Sequence, residues 1–269
     1  MKDNEAWWGD FDIPHGNTGA WRLGPLTLYV RRLEGEWVVW HTSDGDPHDK
    51  MLDIQIPAPD VTEPESQQTV RFTVSGRSER VRLSPLLADR PVISRPESPM
   101  IVPGEEDVTT YVSTPLWVGL GIGSSTEMLA EIPVNRLSNT WFGPSTMEGE
   151  LCYASMTHFV VDSGRVPRSM HRTITKVRIR NSSKTPLELE RLNLPLRHLS
   201  LLRMADGHLQ TQDVTLIRSE DGSNVQVEFV EHDEKATSTG SEILAEPRES
   251  AGGTALVRAL GSIFGVRRK

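Results

Sequence analysis

Alternating apolar and polar residues dominate this chain and predict β-strands rather than helices. The alternation is clearest between Pro99 and Gly123, where Val108, Thr110 and Val112 share one face and Leu116 to Ile122 alternate with glycines. Side chains that recur at every second position lie on one face of a strand. We expect this stretch to be the strand on which the sheet assembles, with another backbone close over its bare glycine face.

Turn-forming sequences separate the strand patterns. The pair Glu34-Gly35 predicts a hairpin from Leu26 to Thr42, with a positive φ at Gly35. A second hairpin is predicted around Gly222, and a tight turn with a positive φ is predicted at Gly104. Before residue 240 the sequence shows no amphipathic helix longer than a turn or two.

These patterns predict an all-β protein with three segments. Residues 1–230 are expected to form an antiparallel β-sandwich or sandwich-like barrel core. Two packed β-subdomains, split near residues 123–135, are an alternative organisation of that core. Residues 231–253 are acidic and almost free of apolar side chains, which predicts a flexible linker.

The last segment, residues 254–269, is predicted to be a short basic amphipathic helix. At about 100° per residue, the apolar side chains fall on one arc; the candidate docking residues on it are Leu256, Leu260, Ile263 and Phe264. Gly261 and Gly265 weaken the helix when it is free in water, so we expect it to form only against a surface. That surface is a protein groove, an anionic membrane or the protein's own core.

Composition and charge narrow the possible partners and the compartment. The chain has 269 residues and a formal net charge of −8 at pH 7, which argues against binding to nucleic acid. Its single cysteine excludes an internal disulfide and fits a reducing compartment. No apolar run approaches the length of a membrane span. We therefore expect a cytoplasmic protein, either free or peripheral at the inner membrane surface.

Candidate chemistry is sparse. No nucleotide-binding, zinc-protease or serine-hydrolase motif is present, so the sequence predicts no catalytic residue, metal site or cofactor. Cys152 is interpreted as a buried packing residue rather than a nucleophile. The aspartates between Ser43 and Lys50 resemble the start of a calcium loop, but the closing glutamate is absent and a solvated turn is the better interpretation.

The most prominent polar pattern is a basic stripe on one strand. Its members are Arg172, Lys176, Arg178 and Arg180. The stripe could receive an acidic partner or a phosphate. The alternative, which we favour, is cross-strand pairing with Glu188 and Glu190 on the following strand, an arrangement of small energetic value.

One stretch resembles a known family. Trp141-Phe142-Gly143 followed by Gly149-Glu150-Leu151-Cys152-Tyr153 is similar to the central motif of a prokaryotic family catalogued as domain of unknown function 432. The strand from Ile101 to Pro115 and the segment Arg178 to Asn181 stand in the order expected for it. The resemblance covers roughly residues 8–230 and omits the tail. It implies one globular unit and no activity, cofactor or catalytic residue.

Two functions remain open at this point. The first is a non-enzymatic β-sandwich adaptor that binds a protein partner or a membrane surface, with the tail helix as a docking element. The second is a β-domain, with or without enzymatic activity, that binds a carbohydrate or another small ligand on a tryptophan platform. Clustering of Trp7, Trp21, Trp37 or Trp117 around an open cleft would favour the second function, and buried, dispersed tryptophans the first.

Overall fold

The computed structural model describes residues 6–59, 61–63, 69–73, 79–123, 127–136, 138–143, 147–155, 157–229, 241–250, 255–259 and 263–264. In these residues every regular element is a strand, apart from two single-turn 3-10 helices, Ser163–Arg165 and Leu196–His198. The predicted all-β class is confirmed.

The described strands number 23. The first twelve are β1 (Gly9–Asp12), β2 (Thr18–Leu23), β3 (Leu26–Arg32), β4 (Glu36–Thr42), β5 (Leu52–Gln55), β6 (Val70–Thr73), β7 (Arg80–Leu86), β8 (Val92–Ser94), β9 (Met100–Val102), β10 (Asp107–Pro115), β11 (Trp117–Ile122) and β12 (Ala130–Pro133). The others are β13 (Asn139–Phe142), β14 (Glu150–Ala154), β15 (Arg172–Asn181), β16 (Leu187–Leu189), β17 (Leu192–Leu194), β18 (Leu201–Arg203), β19 (Leu209–Thr211), β20 (Val214–Arg218), β21 (Asn224–Phe229), β22 (Glu242–Ala245) and β23 (Ala255–Ala259).

The chain divides into two compact units. Unit 1 comprises residues 1–86 and 116–136, and unit 2 comprises residues 87–115 and 137–269. Unit 1 holds two antiparallel sheets with the strand orders β1-β7-β11-β12 and β5-β2-β3-β4-β6. Its core includes fully buried Trp7, Trp21 and Leu28.

Unit 2 is built around β15. This strand pairs antiparallel with β10 over nine residues, from Asp107↔Arg180 to Pro115↔Arg172, and parallel with β19 and β20. The resulting sheet also contains β18, β21, β22 and β23. A second sheet has the order β13-β14-β8-β17, in which β14 and β8 run parallel, and a two-stranded ribbon pairs β9 with β16. Unit 2 thus mixes parallel pairs into the antiparallel arrangement predicted.

The stretch expected to be one organising strand is two strands in different units. The chain leaves the β10–β15 pair at Pro115, and β11 pairs instead with β7 and β12. At Gly119 the glycine face of β11 is covered by side chains and not, as expected, by another backbone. A Cβ built on Gly119 would lie 2.8 Å from Leu86 Cδ1 and 3.0 Å from Met128 Sδ.

The local turn predictions have mixed outcomes. The hairpin β3–β4 and the positive φ of Gly35, +74°, are confirmed, as is the hairpin β20–β21 around Gly222. In the turn after β9 the positive φ belongs to Glu105 and not to Gly104. Gly104 is needed there because any Cβ would overlap the backbone of Lys184.

The tail prediction is corrected by the structure. Ala255–Ala259 forms β23, a strand paired antiparallel with β21, and no helix is present in the described part of residues 254–269. A strand is favoured here because its backbone pairs with the free N–H and C=O groups along the edge of β21, and a helix cannot make those hydrogen bonds. The side chains of Ile263 and Phe264 are 2% and 0% exposed. The backbone N–H of Asn193 donates to the Ile263 carbonyl at 2.9 Å. Leu256 lies in β23, and Leu260 lies outside the described residues.

Part of the segment predicted as a linker pairs with unit 2. Glu242–Ala245 is β22, the antiparallel neighbour of β18. The guanidinium of Arg248 donates to the Leu87 carbonyl at 2.8 and 3.0 Å. The remaining linker residues, 231–240 and 251–253, lie outside the described residues.

The burial of the tail gives a stability prediction. Phe264→Ala should lower the free energy of unfolding by about 3–5 kcal/mol, since it removes a fully buried ring. Val161→Ala, at a side chain that is 52% exposed, should change it by less than about 0.5 kcal/mol. Urea denaturation of the two variants measures both values. Equal stability of the two variants would contradict the packing of the tail.

Candidate functional site

The basic stripe is not a single open site. Lys176 Nζ donates to Asp213 Oδ2 at 2.6 Å, which raises the pKa of Lys176, and Arg178 binds Asp107. Arg180 is exposed and makes no ion pair within the described part of the chain. Lys176 and Arg178 are therefore paired with carboxylates, but the predicted partners Glu188 and Glu190 are wrong.

Arg172 belongs to the core and not to the stripe. It is 5% exposed, and its guanidinium donates to Ser113 Oγ at 2.9 Å, to the Ser113 carbonyl at 2.8 Å and to Thr157 Oγ1 at 3.2 Å. Burial lowers the pKa of Arg172 to about 10. Its neutral partners tie β10 and β15 to the segment around Thr157, so the group is structural.

Cys152 lies in the core of the β13–β14 hairpin. It is fully buried with Ile93 and Phe142, and burial raises the pKa of its thiol to about 12. A nucleophilic cysteine requires the opposite, a lowered pKa and access to solvent. The arrangement agrees with the interpretation of Cys152 as a packing residue.

The candidate tryptophan platform and calcium loop do not assemble. Trp7, Trp21, Trp37 and Trp117 are all 9% exposed or less. In the aspartate-rich turn, carboxylate oxygens accept backbone N–H groups, as Asp46 does from His48 at 2.9 Å. The described residues contain no group of three or more His, Cys, Asp or Glu able to hold a metal ion. Within the same residues no helix is long and apolar enough to cross a membrane.

The Trp-Phe-Gly motif forms a hairpin with one buried and one exposed face. Trp141 pairs with Leu151 across the strands, and these side chains are 46% and 42% exposed. A Cβ on Gly149 would lie 2.8 Å from Trp141 Nε1, and one on Gly143 would overlap the backbone of Glu148. The glycines of the motif are therefore steric requirements of the hairpin.

A pocket with a mixed apolar and charged lining is present as a groove on unit 2. Its volume is about 480 Å³. The lining residues are Arg95, Pro96, Pro99, Met100, Ile101, Glu188, Leu189 and Glu190. They come from the ribbon β9–β16, from the loop that precedes β9 and, for Glu190, from the position directly after β16. We call this feature the ribbon groove.

The ribbon is amphipathic. In its register Leu187 pairs with Val102 and Leu189 with Met100, and both leucines and Val102 are buried. Between them Glu188 pairs with Ile101 on the opposite face, where Ile101 is 61% exposed. One face therefore anchors the ribbon, and the other presents an isoleucine beside a carboxylate.

A buried amide fixes the position of the ribbon. Asn181, at the end of β15, is fully buried, and its Nδ2 lies within 3.2 Å of the Val102 carbonyl, 2.9 Å of the Pro103 carbonyl and 2.8 Å of the Thr185 carbonyl. Arg218 Nη1 donates to the same Thr185 carbonyl at 3.0 Å. These contacts bring the turn after β9 and the turn before β16 to the end of β15.

Sequence reasoning missed the ribbon groove. It treated Glu188 and Glu190 as partners of the basic stripe, on the assumption that consecutive strands pair. No local pattern in the sequence indicates that β16 pairs with β9.

Comparison with known proteins identifies a family but no function. The model of a family described as "Protein of unknown function (DUF432)" matches residues 7–263, so the match continues beyond residue 230 into the tail. No curated protein and no solved structure matches the chain.

The thiol environment predicts low reactivity. At pH ~8 a pKa of about 12 leaves about one thiol in ten thousand as thiolate. A colorimetric disulfide reagent should therefore label Cys152 far more slowly in the folded protein than in urea. Rapid stoichiometric labelling of the folded protein would contradict the buried position.

The Asn181 contacts give a second prediction. Asn181→Ala should lower the free energy of unfolding by about 1–3 kcal/mol, because buried carbonyls lose their donor. Asn139→Ala, on the exposed side of β13, is the matched control. In hydrogen exchange, the backbone amides of β9 and β16 should lose protection first. An equal loss of protection along the whole chain would contradict a local role.

Proposed function

The chain belongs to the DUF432 family of proteins of unknown function, and we propose that it is a non-enzymatic β-sandwich adaptor that binds a protein partner in its ribbon groove. The observation that supports this is the groove itself, with Ile101 61% exposed beside Glu188. Contiguous exposed apolar surface rimmed by polar residues marks interaction sites, and Ile101 lies here beside the apolar lining residues Pro96, Pro99 and Met100.

The distribution of reactive groups favours binding over catalysis. The Cys152 thiol is buried with a raised pKa, and Lys176 and Arg178 are neutralised by carboxylates. The named tryptophans are buried, which favours the adaptor among the two functions left open by the sequence.

The charge of the groove also favours one class of partner over others. Its two glutamates against one arginine, on a chain of net charge −8, favour a protein over nucleic acid or an anionic membrane. Docking through a tail helix is not part of the proposal, since β23 and buried Phe264 belong to unit 2. The proposal keeps the cytoplasmic location that the single cysteine suggests.

Small-ligand binding is the second candidate, and the groove volume favours it. About 480 Å³ lies within the range of small-molecule sites. Such sites usually enclose most of their ligand, however, whereas Arg95, Pro99, Ile101 and Glu188 are all exposed. An extended segment that runs along the ribbon would cover these side chains better than a compact molecule would.

The proposal can be tested by selection from a displayed library of random peptides against the full chain. Selected peptides should bind the protein with an affinity that Ile101→Ser weakens at least about tenfold, since the apolar contact is lost. Val70→Ser, at a side chain that is 51% exposed on β6, is the matched control and should leave the affinity unchanged.

Two results would overturn the adaptor function. One is a selection that yields no binder. The other is a set of binders that Ile101→Ser and Val70→Ser affect equally. A fragment screen by thermal shift on the same two variants addresses the alternative, and stabilisation that disappears only with Ile101→Ser would favour the small-ligand function.

A further inference from the structure

The exposed face of the ribbon carries a recognition pair. Glu188 and Ile101 are directly opposite each other in the antiparallel register, so their side chains project from the same face. The neighbouring pairs Leu187↔Val102 and Leu189↔Met100 project from the other face. A ligand that lies over the exposed face therefore meets an apolar and an acidic group side by side.

Two charged side chains of the ribbon groove have no ion-pair partner among the described residues. Glu188 and Arg95 are exposed, and neither makes an ion pair with another residue of the described chain. Several other exposed charges of unit 2 are paired, as in Lys176–Asp213 and Arg165–Glu97. The Glu188 carboxylate is therefore available to a cation from outside the chain.

The backbone of the ribbon is also available. Within the described strands β9 and β16 pair only with each other, so each has one edge without a strand partner. An unpaired edge is a template for an added strand, and an extended peptide can use it for main-chain hydrogen bonds. Alternate side chains of such a peptide would face the same side of the ribbon.

We propose that the ribbon groove takes an extended peptide of a partner protein that sets a basic side chain against Glu188 and an apolar side chain against Ile101. This inference rests on the proposed function and adds the chemistry of the partner. Arg95 sets a limit on the charge of that peptide, because it repels a second basic group at its end of the groove.

Charge-matched hexapeptides test the inference. The probe is acetyl-Ser-Lys-Ser-Val-Ser-Ser-amide with a fluorescent label. Its lysine and valine are two positions apart and face the same side of an extended strand, and its two counterparts carry glutamate or glutamine in place of the lysine. Fluorescence anisotropy with the full chain should give the order lysine, glutamine, glutamate from tightest to weakest. Raising the salt from about 0.05 to 0.5 M should reduce the difference between the three.

Variants of the protein locate the effect. Glu188→Gln should weaken binding of the lysine probe about two- to fivefold, the range of an exposed ion pair, and leave the glutamine probe unchanged. Arg95→Glu should strengthen binding of the lysine probe by a similar factor. Glu220→Gln changes an exposed acid outside the groove and is the matched control, which should change neither.

The outcomes distinguish a failure of the basic-peptide inference from a failure of the adaptor function on which it rests. If library-selected peptides bind through Ile101 but the three probes bind equally, or the glutamate probe binds best, the basic partner is wrong and the adaptor function stands. Equal effects of Glu188→Gln and Glu220→Gln would also overturn the inference. If no peptide of any charge binds through Ile101, the adaptor function itself fails.

Discussion

The side-chain amide of Asn181 is the contact on which the groove-bearing part of unit 2 depends. A buried amide is costly unless its hydrogen bonds are made, and this one lies close to three backbone carbonyls. The contacts are made where the turns after β9 and before β16 meet at the end of β15, so the amide favours that arrangement of the two turns. The ribbon then has a fixed place at the end of β15, and with it the groove.

The same topology decides which carboxylates are neutralised. The pairing of β10 with β15 sets Asp107 opposite Arg180 and within reach of Arg178, and Asp213 lies beside Lys176. Ion pairs at such exposed positions contribute only about 0–1 kcal/mol each to stability. Their larger effect is on the surface potential. They neutralise Lys176 and Arg178, while Glu188, which lies on β16, has no ion-pair partner among the described residues.

Local patterns predicted this chain well wherever the deciding contacts are local. The hairpin with Gly35 and the alternation of β15 were readable because the turn and its strands are adjacent in sequence. The tail failed because its apolar spacing also fits a strand, and the deciding partner, β21, lies some thirty residues earlier. The groove failed for the same reason, since β16 pairs with β9 across more than eighty residues. Neither pairing leaves a signal in the segment it organises.

The interleaving of the two units has a consequence for synthesis of the chain on the ribosome. Unit 1 is interrupted by residues 87–115, which belong to unit 2, and it resumes at residue 116. When the first 86 residues have emerged, β7 has only β1 beside it and its other edge waits for β11. Domains usually fold one after another from the N-terminus. Here the first unit cannot close until residue 136 is made, by which time the first strands of the second unit are already outside the ribosome.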